Sequence, residues 1–530
     1  MTRFFNTAGP NNPASHYTLP ALARLPQVDR LIQTQGWFVL HAPRQSGKTT
    51  LMRALADELT TSGQFAALWA TCEAAEPFRH DPGAAERVVM ANIISSAEFD
   101  LPAQVRPPPP NEAIAPGHRL AQFLQSWSMA CPLPVVLLLD EIDALQDDAL
   151  LTVLRQLRAI FPRRPEGAPS TVALIGLRDV RDYKMRDASS GHLGTSSPFN
   201  VKVASLTLQA FDRDAISTLY GQHSAETGQA FSTEAIDRAF ALTGGQPWLV
   251  NALAREVVEK LKVEGDIDAA HIDAARERLV LSRATHLDSL ADKLREPRVR
   301  AVVAPLLTGE PGEPTLPADV DYCVDLGLVR RDPKLGLMIA NPIYREVLPR
   351  ELSVAASDNI PALPQRRWAL QDGRLDIDAV LAAFCDFWLQ HGEWMVRGQA
   401  WPEFAHQIVL MAFLQRLVNG GATIEREYGL GRQRLDLLIR WHVRVGVYGE
   451  ALEQDRHAIE VKVWRDGRPD PLAQGLVQIE GYLERLGLDC GVLVIFDARE
   501  GAPAGDAWGE QITHGEAQTA AGRVVRILRA

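Results

Sequence analysis

The sequence predicts an α/β protein built in two parts, a parallel sheet around a phosphate-binding loop and a smaller α/β domain near the C-terminus. Three observations predict it. Trp37-Phe-Val-Leu40, His41-Ala-Pro-Arg-Gln-Ser-Gly-Lys-Thr-Thr50 and Leu51-Met-Arg-Ala-Leu-Ala-Asp-Glu-Leu59 read as strand, tight loop and helix. Pro134-Val-Val-Leu-Leu-Leu-Asp-Glu-Ile-Asp143 reads as an apolar strand ending in carboxylates. Further on, Asp436 interrupts the apolar face of one strand, and the next strand carries Glu460-Val-Lys462.

The first stretch has the order a phosphate-binding P-loop requires. Such a loop wraps backbone N–H groups around phosphate oxygens, and the following helix points its positive dipole end at them. Pro43, Arg44, Gln45, Ser46, Gly47, Lys48, Thr49 and Thr50 are the candidate nucleotide-binding residues. Lys48 reaches the β/γ-phosphates in this reading, and the Thr49 hydroxyl holds Mg²⁺. Ala42 stands where the pattern has its first Gly, and its methyl restricts the turn. In the carboxylate-ended strand, Asp140 joins Thr49 around Mg²⁺, and Glu141 positions or deprotonates the attacking water. The bland alternative for either stretch alone is a buried strand with an ordinary turn; their occurrence together, in this order, favours the nucleotide site.

Composition sets the frame. At 530 residues, with about 150 residues per domain, three or four domains are expected. Hydrophobic content of 46% and charged content of 23% are those of a globular chain with ample core. Met1-Thr-Arg-Phe-Phe-Asn-Thr-Ala-Gly-Pro10 has no apolar signal region, and no apolar run approaches the ~18 residues of a membrane span. The five cysteines are scattered without a C-x-x-C pair, so neither a disulfide framework nor a zinc site is expected. A cytoplasmic location is the expectation. A net charge of -11 argues against a wholly basic nucleic-acid binder but leaves room for a local basic groove.

In order along the chain, residues 1–205 read as the P-loop core. Its turn-rich first 36 residues are either a plain loop or a cover for the nucleotide base. Phe65–Ala70 reads as a second strand and Thr171–Leu177 as another. Arg178 and Arg181 after it are candidate γ-phosphate partners or a solvated basic loop. Residues 206–285 have helical periodicity. Gly244 and Gly245 end one helix, and Pro247 starts the next. Residues 286–352 read as helices followed by a hairpin at Leu326–Ala340, the pattern of a winged helix. No helix there has a dense basic face, so a packing role is favoured over DNA binding. Residues 353–365 have linker composition, the linker is expected over 353–375, and a new domain occupies 376–530.

Residues 1–350 resemble AAA-like P-loop ATPases of the STAND/archaeal-ATPase type. The resemblance rests on the loop at 41–50, on Leu138-Leu-Asp-Glu-Ile-Asp143, on Gly244-Gly-Gln-Pro-Trp-Leu249 and on Asn341-Pro-Ile-Tyr344. It implies a five-stranded parallel core, a helical lid closing over ATP with Pro247 near the nucleotide, a winged helix, and nucleotide-gated conformational change.

The C-terminal domain has its own constellation. Residues two apart on a strand share a face, so Glu460 and Lys462 point the same way with the Val461 carbonyl between them. Carboxylates on adjacent strands with a nearby Lys make a hard-cation site suited to Mg²⁺ or Mn²⁺. A surface ion pair is the rival reading. Asp436 followed by Glu460-Val-Lys462 resembles the signature of the PD-(D/E)XK nuclease superfamily, and Gln478-x-x-x-Tyr482 resembles the element of its RecB-like branch. The resemblance implies that Asp436, Glu460, Lys462, Gln478 and Tyr482 form a catalytic site and that Glu403 is an extra metal-binding acid. Arg426, Arg432, Arg434, Arg440, Arg444, Arg465 and Arg468 flank it, as phosphate binders or as a solvated strand edge.

The expected function is ATP-dependent control of a metal-dependent DNA nuclease, of a kind paired with genome defence or mobile-element control. ATP, DNA and further copies of the chain assembled on nucleotide are the expected partners, and no membrane is. The competing expectation is a nucleotide-dependent signalling or scaffold protein whose C-terminal domain binds nucleic acid without cutting it. A third is a DNA-binding regulator acting through the winged helix.

Overall fold

The computed structural model describes residues 3–20, 24–177, 204–281, 293–308, 315–348, 368–397, 406, 409–411, 413–414, 422–430, 433–445, 451–499 and 512–530. The chain forms two compact units: Met1–Ser282 with Thr315–Ile343, and Arg283–Pro314 with Tyr344–Ala530. Arg178, Arg181, Arg432, Glu403 and most of the expected linker lie outside the described residues.

The first unit is a five-stranded sheet in the order β2-β3-β4-β1-β5. Its strands are β1 (Phe38–His41), β2 (Ala66–Thr71), β3 (Val135–Asp140), β4 (Thr171–Gly176) and β5 (Ala204–Thr207), and every pairing is parallel. β5 straddles the expected domain boundary at 205 and pairs with β1, with Thr207 in register with His41. Alternation decides which residues face which layer. Val135, Leu137 and Leu139 pack with helices α3 (Pro82–Asp100), α4 (Arg119–Ala130) and α5 (Asp147–Ile160). Val136 and Leu138 face the other way, onto α1 (Val28–Gln33) and α2 (Lys48–Thr61). With both faces covered, the strands read as continuous apolar runs.

Four helices follow: α6 (Arg213–Thr227), α7 (Thr233–Thr243), α8 (Pro247–Arg255) and α9 (Ala269–Leu281). α7 is capped by the Ser232 side chain and stops at Gly244, whose φ is 57°. Gly245 follows at φ 76° and lies tight against another turn: a Cβ there would lie 1.8 Å from the Phe211 carbonyl oxygen. Pro247 then occupies the first turn of α8, where a missing N–H costs nothing.

The N-terminal segment folds onto these helices. The Phe5 ring meets those of Tyr17, Tyr220, His223 and Phe231, Tyr17 meets His223 edge-on, and the Tyr17 hydroxyl meets His223 Nδ1 at 3.2 Å. Trp248 Nε1 and Arg255 donate to Thr7, at 2.8 and 2.6 Å. The hairpin β6 (Val329–Asp332) and β7 (Gly336–Ile339) forms as expected. Its section of the expected winged helix belongs to the first unit, while α10 (Pro297–Thr308) belongs to the second.

The second unit centres on a six-stranded mixed sheet in the order β12-β13-β11-β10-β9-β8. Its strands are β8 (Ala422–Leu430), β9 (Gln433–Val445), β10 (Ala451–Trp464), β11 (Cys490–Asp497), β12 (Thr513–Gln518) and β13 (Val524–Arg529). Helices are α12 (Ile377–Arg397) and α13 (Leu472–Leu486); in the first unit, α11 (Pro317–Asp325) precedes the hairpin. α13 joins β10 to its parallel neighbour β11 and packs Ile479, Tyr482 and Leu483 on Ala458, Leu493 and Ile495. The opposite face carries Phe496 against Phe384 and Trp388 of α12. Residues 368–375, at the end of the expected linker, pack on this sheet. Trp441 Nε1 donates to the Gly373 carbonyl at 2.9 Å, and Leu375 N donates to Asp455 at 2.9 Å. Apolar and aromatic residues within a polar stretch explain why that segment is ordered rather than free.

Replacing Gly245 by Ala should destabilise the fold by about 2 kcal/mol or more, because both the φ and the Phe211 carbonyl oppose a Cβ. The unfolding midpoint in urea measures it; an unchanged midpoint contradicts this packing.

Candidate nucleotide and nucleic-acid sites

The sequence folds the loop after β1 into a phosphate cradle. Gln45 and Gly47 take positive φ, 56° and 89°, so the backbone reverses before α2 begins at Lys48. Ala42 occupies its place in the turn fully buried, and its N–H donates to the Gly176 carbonyl at 3.3 Å, so the methyl is tolerated there. Lys48 Nζ donates to the loop's own Ala42 and Pro43 carbonyls at 2.7 and 3.0 Å. Burial lowers the Lys48 pKa, opposed by the charges of Glu141, Asp143 and Asp140. Ser46 Oγ is buried and has no hydrogen-bond partner among the described residues.

At the end of β3, the Asp140 carboxylate is 1% exposed and surrounded by donors. Thr49 Oγ1 and Trp69 Nε1 donate to Oδ2 at 2.7 and 3.1 Å, and the Glu141 N–H donates to Oδ1 at 2.9 Å. Glu141 sits in the left-handed region at φ 52°, next to the loop. Burial, then Asp140 and Asp143, raise its pKa, and Lys48 and Arg44 oppose this. Asp143 accepts from Leu177 N at 2.9 and 3.0 Å and fills the space beside Gly176, where a Cβ would meet its Oδ1.

A cavity of about 1070 Å³ opens beside the loop. The N-terminal segment from Asn6 to Pro13 lines it, with Gln45, Gly47, Trp69, Pro247 and Trp248. Thr50 is tied to that segment, its hydroxyl accepting from Asn11 N at 3.0 Å. Pro43 packs against Gly327, and Gln246 Nε2 donates to the Gln45 carbonyl at 3.4 Å. Arg24 donates to the Ser46 and Gln209 carbonyls and has its pKa lowered to about 10 by burial.

The residues fit a nucleotide with Mg²⁺. The unpartnered Ser46 hydroxyl sits in the turn, and Thr49 beside Asp140 offers the hard oxygen donors that Mg²⁺ takes. Sequence reasoning did not find Trp69, Arg24, Asp143 or Thr7. Of these, only Asp143 stood in a motif already singled out.

Residues 30–183 match the family model described as an AAA domain. They are an AAA-type P-loop ATPase domain. Among solved structures, the chain is similar to the Walker-type ATPase paby2304 of Pyrococcus abyssi at 14% identity, over 65% of this chain and 99% of that one, with a TM-score of 0.45. It is similar to the Thermotoga maritima RuvB Holliday junction branch migration motor at 18% identity, over 60% and 89%, with a TM-score of 0.33. For Cdc6p from Pyrobaculum aerophilum the values are 15%, 62%, 92% and 0.34. No curated protein matches the chain. The AAA assignment rests on the family model and the loop, not on these loose superpositions. Among the described residues no helix is long and apolar enough to cross a membrane.

Outside the AAA domain, the second site is only part described. Glu460 and Lys462 follow Ala458 on the α13 side of β10, and Lys462 Nζ donates to Glu460 Oε1 at 2.6 Å. Glu460 is 2% exposed, so this is a buried pair rather than a surface one. Tyr482 is buried in the α13 interface, and Gln478, one turn earlier, holds its Oε1 buried without a hydrogen-bond partner among the described residues. Asp436 lies in β9 one residue before Leu437, which pairs with Ile459; its side chain lies outside the described residues, as do those of Arg426, Arg434 and Arg444. Arg440 donates to Gln454 at 3.2 Å. Among the described residues no three His, Cys, Asp or Glu side chains form a metal-ligand group, so Glu460 alone does not make a cation site.

Glu141→Gln should raise the thermal stability of the nucleotide-free protein at neutral pH. The folded-state pKa of Glu141 lies above its unfolded value, so its ionised form costs stability above that unfolded pKa. Lowering the pH through the raised pKa should erase the difference from the parent. Melts from pH 4.5 to 7.5 check this; a gap that widens toward acid has the wrong sign.

Proposed function

We propose that the AAA domain binds and hydrolyses ATP·Mg²⁺ and that its nucleotide state controls a DNA nuclease in the C-terminal unit. The observation that carries the ATP reading is the Lys48, Thr49 and Asp140 constellation inside a cradle whose loop is also held by the helices after β5. Lys48 would give up its loop carbonyls for β/γ-phosphate oxygens, an exchange of neutral acceptors for charged ones. Thr49 and Asp140 would hold Mg²⁺, which offsets phosphate charge during transfer. A raised pKa suits Glu141 to take a proton from the attacking water. Pro247 and the 6–13 segment line the cavity where the base and ribose would sit.

The nuclease reading is carried by the buried Glu460–Lys462 pair on the face where α13 brings Gln478 and Tyr482. A buried ion pair costs desolvation that a plain strand has no reason to bear. Asp436, Glu460 and Glu403 would hold Mg²⁺ or Mn²⁺, Lys462 would steady charge at the phosphodiester, and Gln478 and Tyr482 would orient the site. Coupling would run through the helices after β5 and a winged helix, with DNA and further copies of the chain as partners. Genome defence or mobile-element control fits such a pairing. One observation favours the second reading, a scaffold that binds nucleic acid without cutting: Lys462 Nζ already holds one of the two Glu460 carboxylate oxygens.

Lys48→Ala should weaken ATP binding roughly ten- to a hundredfold, the worth of one charge-assisted contact of ~1.5–3 kcal/mol. Glu141→Gln should bind ATP and fail to hydrolyse it. Equilibrium binding and phosphate release measure both, and Lys48→Ala with parental affinity removes the ATP reading. Plasmid, single-stranded DNA and RNA should be assayed with Mg²⁺ or Mn²⁺ and each nucleotide. Glu460→Ala and Lys462→Ala should abolish or cut cleavage by about 10²–10³ while ATP hydrolysis persists. A parent that binds nucleic acid and never cuts selects the scaffold.

A further inference from the structure

We propose that Trp69 is a positioning residue for the Mg²⁺ half of the nucleotide site: its indole N–H fixes the Asp140 carboxylate beside the Thr49 hydroxyl. The inference rests on the reading that Thr49 and Asp140 hold Mg²⁺. Trp69 lies on β2, next to β3, with Trp69 in register with Leu138 and Thr71 with Asp140. Leu138 faces α2, so Trp69 and Asp140 share the α2 side of the sheet. The indole spans the two-residue offset and places Nε1 3.1 Å from Oδ2, the oxygen that also accepts from Thr49.

The ring is held from the other side. The Arg53 guanidinium lies 5.5 Å from its centroid, and Arg53 is one helical turn beyond Thr49 on α2. Thr49 and Trp69 therefore converge on one oxygen from two separate elements. The Glu141 N–H on Oδ1 belongs to the adjacent residue and cannot by itself choose the carboxylate's rotation toward α2. With Oδ2 doubly held, the carboxylate plane is set before any cation arrives, and ordering it is not charged to binding. The bond ends on the same Asp140 oxygen as that of Thr49, which ties the indole to the proposed metal-holding pair directly.

The test is the full-length chain binding a fluorescent ATP analogue, titrated with Mg²⁺ and again in EDTA. The readout is the ratio of the two dissociation constants. In Trp69→Phe, which keeps the ring and loses the donor, the EDTA affinity should stay within about twofold while the ratio falls about tenfold, the worth of a hydrogen bond to a charged group. Trp69→His, which keeps a ring N–H, should give a ratio nearer the parent's. A parental ratio in Trp69→Phe overturns the inference. So does an equal loss with and without Mg²⁺, which is a packing defect, or identical ratios in Phe and His, which make shape and not the donor responsible. A parent with the same affinity in Mg²⁺ and EDTA instead overturns the metal reading beneath it.

Discussion

A carboxylate taken almost entirely out of water must be solvated by the protein, and Asp140 is where the first unit meets that demand. Three donors from three elements converge on it: Thr49 from α2, Trp69 from β2 and the Glu141 N–H from the turn after β3. Each is worth more than a neutral hydrogen bond because the acceptor is charged and the surroundings are apolar. The price is that β2, β3 and α2 cannot move independently near their C-terminal and N-terminal ends. A rigid rim of this kind suits a site that must place phosphate and cation to within fractions of an ångström.

The same economy shapes the other side of the loop. Gly244 and Gly245 make the corner before α8, and the corner is tight enough to touch the Phe211 carbonyl. Gln246 caps α8 through its Oε1 on Leu249 N and uses its Nε2 on the Gln45 carbonyl. One side chain thus starts a helix and reaches the P-loop. The N-terminal segment adds a second link, from Thr7 on Trp248 and Arg255 to Asn11 on Thr50. A nucleotide that separates or closes these contacts changes the relation of helices to loop, which is the differential interaction a conformational switch requires.

Much of this was legible because it is local. The P-loop, the carboxylate-ended strand and the Gly-Gly-Gln-Pro corner each declare backbone geometry within ten residues, and all three appear where their residue types demand. The hairpin at 329–339 and the strand order around Glu460-Val-Lys462 were equally readable, since alternation is a period-two signal. Trp69, Thr7 and Arg24 were not, because what makes them matter is partners far along the chain: Asp140, Trp248 and Ser46. Residues 368–375 show the same dependence on distant partners. They follow a stretch of linker composition and carry Trp368, Leu370 and Leu375, but Leu375 and Gly373 are held by Asp455 and Trp441 on a sheet formed later in the sequence.

The two candidate sites treat their lysines in opposite ways, and this bears on how each would be switched. Lys48 rests on two neutral carbonyls, with the charges of Glu141, Asp143 and Asp140 favouring its charged form against burial, so an incoming phosphate meets a side chain held only by neutral acceptors. Lys462 already closes on the buried Glu460. A ligand at the first site gains a charge pair; a ligand at the second must first break one, in a place where breaking it leaves a buried charge exposed to its neighbours. Under the nuclease control proposed above, that asymmetry would keep the second site silent until the Glu460–Lys462 pair is opened.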